Sequence, residues 1–192
     1  MKGKNMKIVA GKNKGKKLKH LKDANVRATS HKVREALFDI ILPYIDKAFF
    51  LDLFAGTGAI GIEALSRGAE KAFFIENNGK CIKIIHENLN ITGNAEYGKI
   101  FKSDYASGLR ILDKKNYRFD YIFLDPPYNK GLATKALKEI SNMSILKEDG
   151  QVIVQHHRRE VLENRIDSLK MVKQKHYGGS LLTFFELISL EK

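Results

Sequence analysis

Cysteine, tryptophan and proline are scarce in this chain: one Cys, no Trp and three Pro in 192 residues. A single thiol, Cys81, excludes an internal disulfide and a cysteine-based metal site. It falls on the stripe Cys81, Ile82, Ile85 and Leu89 of a predicted helix capped by Asn77 or Asn78, so it reads as core. Pyrimidine C5 methylation needs a cysteine nucleophile beside the base, and a core Cys81 excludes it. The six histidines show no ligand spacing, and adjacent His156 and His157 point to opposite faces of an extended strand. No metal is assigned. No apolar run is long enough to span a bilayer, and the lysine-rich start lacks the apolar run of a secretory signal. The cytoplasm is the expected compartment, and a monomer the expected state.

Acid is missing from one end. Residues 1–34 carry twelve Lys or Arg against the single acid Asp23, which accounts for +11 of the chain's net +12. Met1 to Asn5 read as a plain basic tail. From Met6 the pattern changes: Lys7 to Ala10 and Lys16 to Lys19 flank a Gly11 to Gly15 turn, a β-hairpin signature. A folded basic hairpin suits RNA phosphates, which contribute affinity and salt dependence but little sequence information. The candidate RNA contacts are Lys12, Lys16, Lys17, Lys19, Arg27, Thr29, Lys32 and Arg34. Residues 1–30 form the basic extension and 31–192 one α/β domain, large enough for a full core.

Two of the three prolines are adjacent. Pro126 and Pro127 close the apolar run Phe119 to Leu124, a buried-strand pattern, with Asp125 before them and Tyr128 after. Proline forces Asp125 into an extended conformation, and neither proline has an N–H. The corner therefore offers acceptors at fixed positions. The Asp125 carboxylate and the Pro126 carbonyl can each take one N–H of an amine on a base, while Tyr128 stacks on the ring.

A second motif follows the run Phe49 to Phe54. Ala55, Gly56, Thr57, Gly58, Ala59, Ile60 and Gly61 lead into a helical pattern, the nucleotide-binding opening of a doubly wound domain. The next strand, Lys71 to Ile75, ends in Glu76, where a carboxylate can accept both ribose hydroxyls of an adenosine. These features suit NAD as well as S-adenosylmethionine. Asp52 separates the two, because a carboxylate four residues before Gly56 repels a pyrophosphate and favours a cationic methionine end. A strand over about 98–102 ends at Ser103, Asp104 and Tyr105.

Further elements are a helix over 31–42 stopped by Pro43, a helix over about 132–143, a strand over 150–155 and a terminal hairpin, 169–176 with 181–190, around Gly178 and Gly179. Seven core strands are expected, the last antiparallel.

Asp52 to Gly58 resembles motif I of the class I methyltransferases, Glu76 the acid of their motif II, and Asp125 to Tyr128 the (Asp/Asn)-Pro-Pro-(Tyr/Phe) motif of amino-group methyltransferases. Ile8 to Gly11, Gly15 to Leu18, Arg27 to Ser30 and Val33 to Phe38 resemble the RsmD family of bacterial 16S rRNA guanine-N2 methyltransferases, and the resemblance spans essentially the whole chain. Ala28 and His31 depart from the family's pattern, which has Pro and Asp or Asn there. The resemblance implies a Rossmann-like fold, a mostly parallel seven-stranded sheet with helices on both faces. It implies S-adenosylmethionine bound by Asp52, Phe54, Ala55, Gly56, Gly58, Glu76, Asn77, Asp104 and Tyr105, and catalysis by Asp125, Pro126, Pro127 and Tyr128. The implied partner is small-subunit ribosomal RNA, free or in a pre-ribosomal particle. Adenine-N6 methylation would use the same four residues; a nicotinamide oxidoreductase and a non-catalytic RNA-binding module are the more distant alternatives.

Overall fold

The computed structural model describes residues 6–21, 31–127 and 131–188. The chain divides into two compact units, Met1–Asp104 and Tyr105–Lys192. In the first, β1 (Met6–Lys7) and β2 (Lys17–Leu18) pair as a minimal antiparallel hairpin. Then come α1 (His31–Ile41), a 3-10 turn over Leu42–Tyr44, β3 (Phe49–Asp52), α2 (Ala59–Ser66), β4 (Lys71–Glu76), α3 (Gly79–Thr92) and β5 (Gly98–Lys102). Strands β3, β4 and β5 are parallel, with β4 in the middle. Their near-continuous apolar runs fit strands covered on both faces, and Phe50, Leu51, Phe73 and Phe74 are fully buried. All eight residues of α2 are buried, whereas α1 buries only the stripe Val33, Arg34, Leu37, Phe38, Ile41. Asn78 caps α3 by accepting from the Lys80 amide at 2.9 Å, and Gly93, at φ 69°, ends it in the left-handed conformation.

The second unit holds α4 (Tyr105–Lys114), β6 (Phe119–Leu124), α5 (Leu132–Ser141), β7 (Leu146–His157), β8 (Arg165–Ile166), β9 (Leu169–Tyr177) and β10 (Ser180–Leu187). β6 and β7 are parallel; β10 then lies between β7 and β9, antiparallel to both, and β8 pairs with the start of β9. The sheet is thus mixed. The expected count of seven core strands is corrected by β8, a two-residue strand too short to show a period in sequence. Helix α4 has no counterpart among the sequence expectations, because Gly108 at its centre lowers helix propensity and only Leu109 and Leu112 mark its apolar side. Strand β7 begins four residues earlier than expected, running through the charged stretch Lys147 to Asp149.

His156 is buried in β7, with Nδ1 2.9 Å from the Glu160 carbonyl and Nε2 2.8 Å from Thr183 Oγ1. A carbonyl only accepts, so Nδ1 carries the proton, and the Thr183 hydroxyl donates to Nε2. That hydroxyl also accepts from Gln174 Nε2 at 2.9 Å, which links β7, β10 and β9. Burial is the main cause that lowers the His156 pKa, and His157 adds to it, while the backbone contacts oppose them. A lowered pKa means that the unfolded chain binds the extra proton first. Stability is therefore full above the ordinary histidine value of about 6.5 and declines as pH falls through it towards the folded value. Denaturant titrations across this range should show that decline, and His156→Gln should flatten it.

Candidate functional site

Three parallel strands of the first unit end together, and most of the predicted donor-binding residues stand at those ends. After β3 the chain turns through Gly56 at φ 52° and Gly58 at φ 77°, values that favour glycine. The Ala55 amide donates to the Ile75 carbonyl at 3.1 Å, which holds the turn against β4. Asp52, 2% exposed, accepts from the Gly61 amide at 3.1 Å and so fixes the entry of α2. Its carboxylate sits beneath the turn, a structural task beside the charge effect inferred from sequence.

Glu76 ends β4 and reaches back. One carboxylate oxygen accepts from the Gly56 amide at 2.8 Å and the other from the Asn78 amide at 2.8 Å. Each oxygen keeps a second lone pair for a hydroxyl. Asn77 is exposed beside it, and Asp104 is exposed one residue past Ser103, whose amide donates to the Glu76 carbonyl at 3.1 Å. Phe54 is half-buried and Ala55 buried. The three glycines differ in task. A Cβ on Gly56 would meet nothing within 4 Å, one on Gly58 would touch Ile85 and Phe74 at 3.2–3.3 Å, and one on Gly61 would lie 2.4 Å from the Phe74 ring. Open space thus lies over Gly56, while Gly61 lets α2 approach the sheet. Cys81 is buried on α3, and burial followed by the charge of Glu76 raises its thiol pKa. It is core, as the sequence indicates.

In the second unit Asp125 and Pro126 follow β6 directly; Asp125 is half-buried, Pro126 buried and Pro127 exposed. Tyr128 lies outside the described residues, as do Arg27, Ala28 and Thr29. Tyr105 opens α4 and lines, with Lys135, Lys138, Glu139, Asn142 and Met143, an open cavity of about 440 Å³.

The basic hairpin is bound to α2 and α3. Glu63 of α2, fully buried, accepts from the Val9 amide at 2.9 Å, the Ala10 amide at 3.0 Å and Arg67 Nε at 2.9 Å. Ser66 donates to the Ala10 carbonyl and accepts from the Asn13 amide, and its carbonyl accepts from the Lys12 amide. A Cβ on Gly11 would lie 1.8 Å from that same carbonyl, so only glycine fits there. Asn88 of α3 exchanges two bonds with the backbone of Lys19 and donates to the Thr57 carbonyl at 3.0 Å. One side chain therefore joins the end of the hairpin to the glycine turn. Glu63, Ser66 and Asn88 were not legible as docking groups; polar residues inside apolar helical runs were their only signal.

Arg34 corrects an expectation. It is 2% exposed, donates to the Lys7 carbonyl at 2.6 Å and has Nε 3.8 Å from Glu63, so it is an internal tie and not an RNA contact. Burial lowers its pKa, Glu63 opposes that, and Arg67 reinforces it. The candidate lysines Lys12, Lys16, Lys17, Lys19 and Lys32 are exposed. Lys12 stands 5.1 Å over the Tyr97 ring, Lys16 reaches the Ile91 carbonyl at 3.3 Å, and Lys19 pairs with Glu87 at 3.1 Å. Among the described residues no group of acidic, His and Cys side chains could hold a metal ion, and no helix is long and apolar enough to cross a membrane.

Removing Glu63 would strand two buried arginines and two amides. Glu63→Ala should therefore cost about 3 kcal/mol or more in denaturant unfolding. Hydrogen exchange at Val9 and Ala10 should accelerate beyond the global change if the hairpin depends on this carboxylate.

The family described as conserved hypothetical protein 95 matches residues 6–186. A Bacillus subtilis relative, YlbH, whose name carries a provisional assignment as an rRNA methyltransferase, is 35% identical over 173 residues, 90% of this chain and 94% of its own. Ribosomal RNA small subunit methyltransferase D of Haemophilus influenzae is 32% identical over 174 residues, 90% and 89% of the two chains. Among solved structures, yhhF of Escherichia coli, provisionally titled a methyltransferase, superimposes with a TM-score of 0.81 at 26% identity, covering 95% of this chain and 98% of that one. The mixed sheet is that of the Rossmann-like class I methyltransferase fold. With a family match across both units and this identity to small subunit methyltransferase D, the chain belongs to the RsmD family.

Proposed function

We propose that this chain transfers a methyl group from S-adenosylmethionine to the exocyclic N2 amine of a guanine in 16S, small-subunit ribosomal RNA. It acts as a monomer in the cytoplasm. The observation that supports this most is the corner Asp125–Pro126–Pro127 at the carboxyl end of the buried strand β6, rich in acceptors because neither proline has an N–H.

The residues present fit the donor. Open space over Gly56 accommodates a ligand against the backbone, and the Glu76 carboxylate, already oriented by two amides, has lone pairs left for ribose hydroxyls. Asp104 accepts the adenine amine. Asp52 adds negative potential beneath the methionine end. S-adenosylmethionine supplies an electrophilic methyl carbon on a cationic sulfur.

The guanine amine is a poor nucleophile because its lone pair is delocalised into the ring. The Asp125 carboxylate and the Pro126 carbonyl accept its two N–H groups and hold nitrogen in a geometry that localises the pair along the line of transfer. The bound donor would supply the methyl carbon and keep the bonding electrons on its sulfur, while Asp125 would pass the proton given up by the amine to water. Tyr128 stacks on the base and offsets part of the cost of unstacking it from the RNA. Lys12, Lys16, Lys17, Lys19 and Lys32 take RNA phosphates, with Arg27 and Thr29 extending that contact.

Small-subunit RNA from cells lacking the protein should accept tritiated methyl, and nucleoside mass spectrometry should find N2-methylguanosine. N6-methyladenosine instead would replace guanine by adenine at the same corner. Asp125→Ala should lower kcat/KM by about 100-fold or more while S-adenosylhomocysteine still binds. Glu76→Ala should weaken that binding about tenfold or more, as loss of charge-assisted hydrogen bonds requires. Near-normal turnover of the first variant, or unchanged calorimetric affinity of the second, would remove the assigned role.

A further inference from the structure

The second unit carries a basic surface that the N-terminal hairpin does not explain. Between Asp167 and Glu186 there is no acid, and β9 with its turn presents Lys170, Lys173, Lys175 and His176 exposed and Tyr177 half-buried. Lysines on a strand that β8 covers only at its start have a simpler use, the prevention of edge-to-edge pairing. The far end of the strand is different. Ser180 pairs with both His157 of β7 and Tyr177 of β9, so the ends of three strands are level. The Arg158 amide donates to the Gly179 carbonyl at 3.0 Å, and the Arg159 amide to His157 Nδ1 at 3.2 Å. The backbone of both arginines is thus fixed to the tip. Their side chains are exposed, and neither makes an ion pair among the described residues. The acids that follow are Glu160, half-buried, and Glu163, exposed.

Position relative to the corner decides what this tip can meet. β6 runs parallel to β7 with Leu124 opposite Val154, so Asp125 leaves its strand at the same end at which Arg158 and Arg159 leave theirs. Strand β7 continues three residues past that level, about 10 Å at the rise of a strand. The tip is therefore a raised basic lip beside the acceptor corner. Guanidinium groups match phosphate geometry, and a tyrosine ring gives an unstacked base a platform.

We propose that Arg158, Arg159 and Tyr177 form a second RNA-contact surface, which holds the phosphates and one base of the nucleotides flanking the target. It rests on the reading of the chain as a ribosomal RNA methyltransferase. The surface grips single-stranded RNA where the target base is turned out.

The test uses the full chain with small-subunit RNA in the methyl-transfer assay. R158E/R159E should raise the KM for RNA about tenfold and reduce the slope of log KM against log salt by about 1.5, the share of two phosphate contacts. Its affinity for S-adenosylhomocysteine should match wild type, which reports an intact first unit. Tyr177→Ala should raise the RNA KM, and Tyr177→Phe, which keeps the ring, should restore it. A wild-type KM and salt slope in R158E/R159E would overturn the surface while leaving the enzyme assignment intact. A wild-type protein that transfers no methyl to the RNA would overturn both.

Discussion

The close approach of α2 to β4 at Gly61 is the constraint on which the first unit depends. A side chain there would enter the Phe74 ring, so only glycine lets the helix lie against the sheet. The turn before it passes through Gly56 and Gly58 at positive φ. The Gly61 amide in turn falls within reach of Asp52, so a carboxylate at the end of β3 fixes the first turn of the helix. Because α2 is pressed inward along its whole length, Glu63 and Ser66 are buried and must find partners. They find them in the hairpin backbone. A packing requirement at one glycine thus shapes both the entry of α2 after the glycine turn and the surface on which a basic arm is docked.

Asn88 carries this coupling one step further. Its carboxamide bonds with the Lys19 backbone and the Thr57 carbonyl, so the end of the hairpin and the middle of the glycine turn share a partner. Both N–H groups of its amide are donated, one to the hairpin and one to the turn, so a shift of the arm there disturbs the group that holds the turn. Glu76 gives the turn a second anchor from β4. The turn is held from three sides: by Asp52 through Gly61, by Glu76 and by Asn88. Such preorganisation reduces what a ligand must spend on ordering its own site.

What could be read in the sequence follows from how few residue types a task allows. Gly56, Gly58 and Gly61 were legible because positive φ and close approach admit little else. Pro126 and Pro127 were legible because a strand end without N–H donors has few explanations. Arg34 was not, since a charge that pairs with a residue 29 positions away carries the same letter as one facing solvent. Glu63 and Asn88 were illegible for the same reason: their partners include the backbone of a hairpin distant in sequence. Helix α4 was hidden by the glycine at its centre, and β8 by its length. Local conformation was written in residue type; long-range polar pairing was not.

Charge shows the same limit in quantity. The sequence concentrates +11 in residues 1–34, which suggests an arm given over to RNA. The fold uses part of that charge internally. Arg34 is enclosed, Lys19 is paired with Glu87, Lys12 leans on Tyr97 and Lys16 bonds to Ile91. An exposed pair of this kind contributes little to stability, and its lysine can exchange a carboxylate for a phosphate at small cost. An arginine buried against Glu63 cannot, because leaving would strand a charge on both sides. The electrostatic footprint of the arm is therefore smaller than its composition, and its stiffness greater. In the second unit Arg158 and Arg159 show the opposite case, exposed side chains on a backbone fixed by hydrogen bonds to Gly179 and His157, with no carboxylate partner among the described residues.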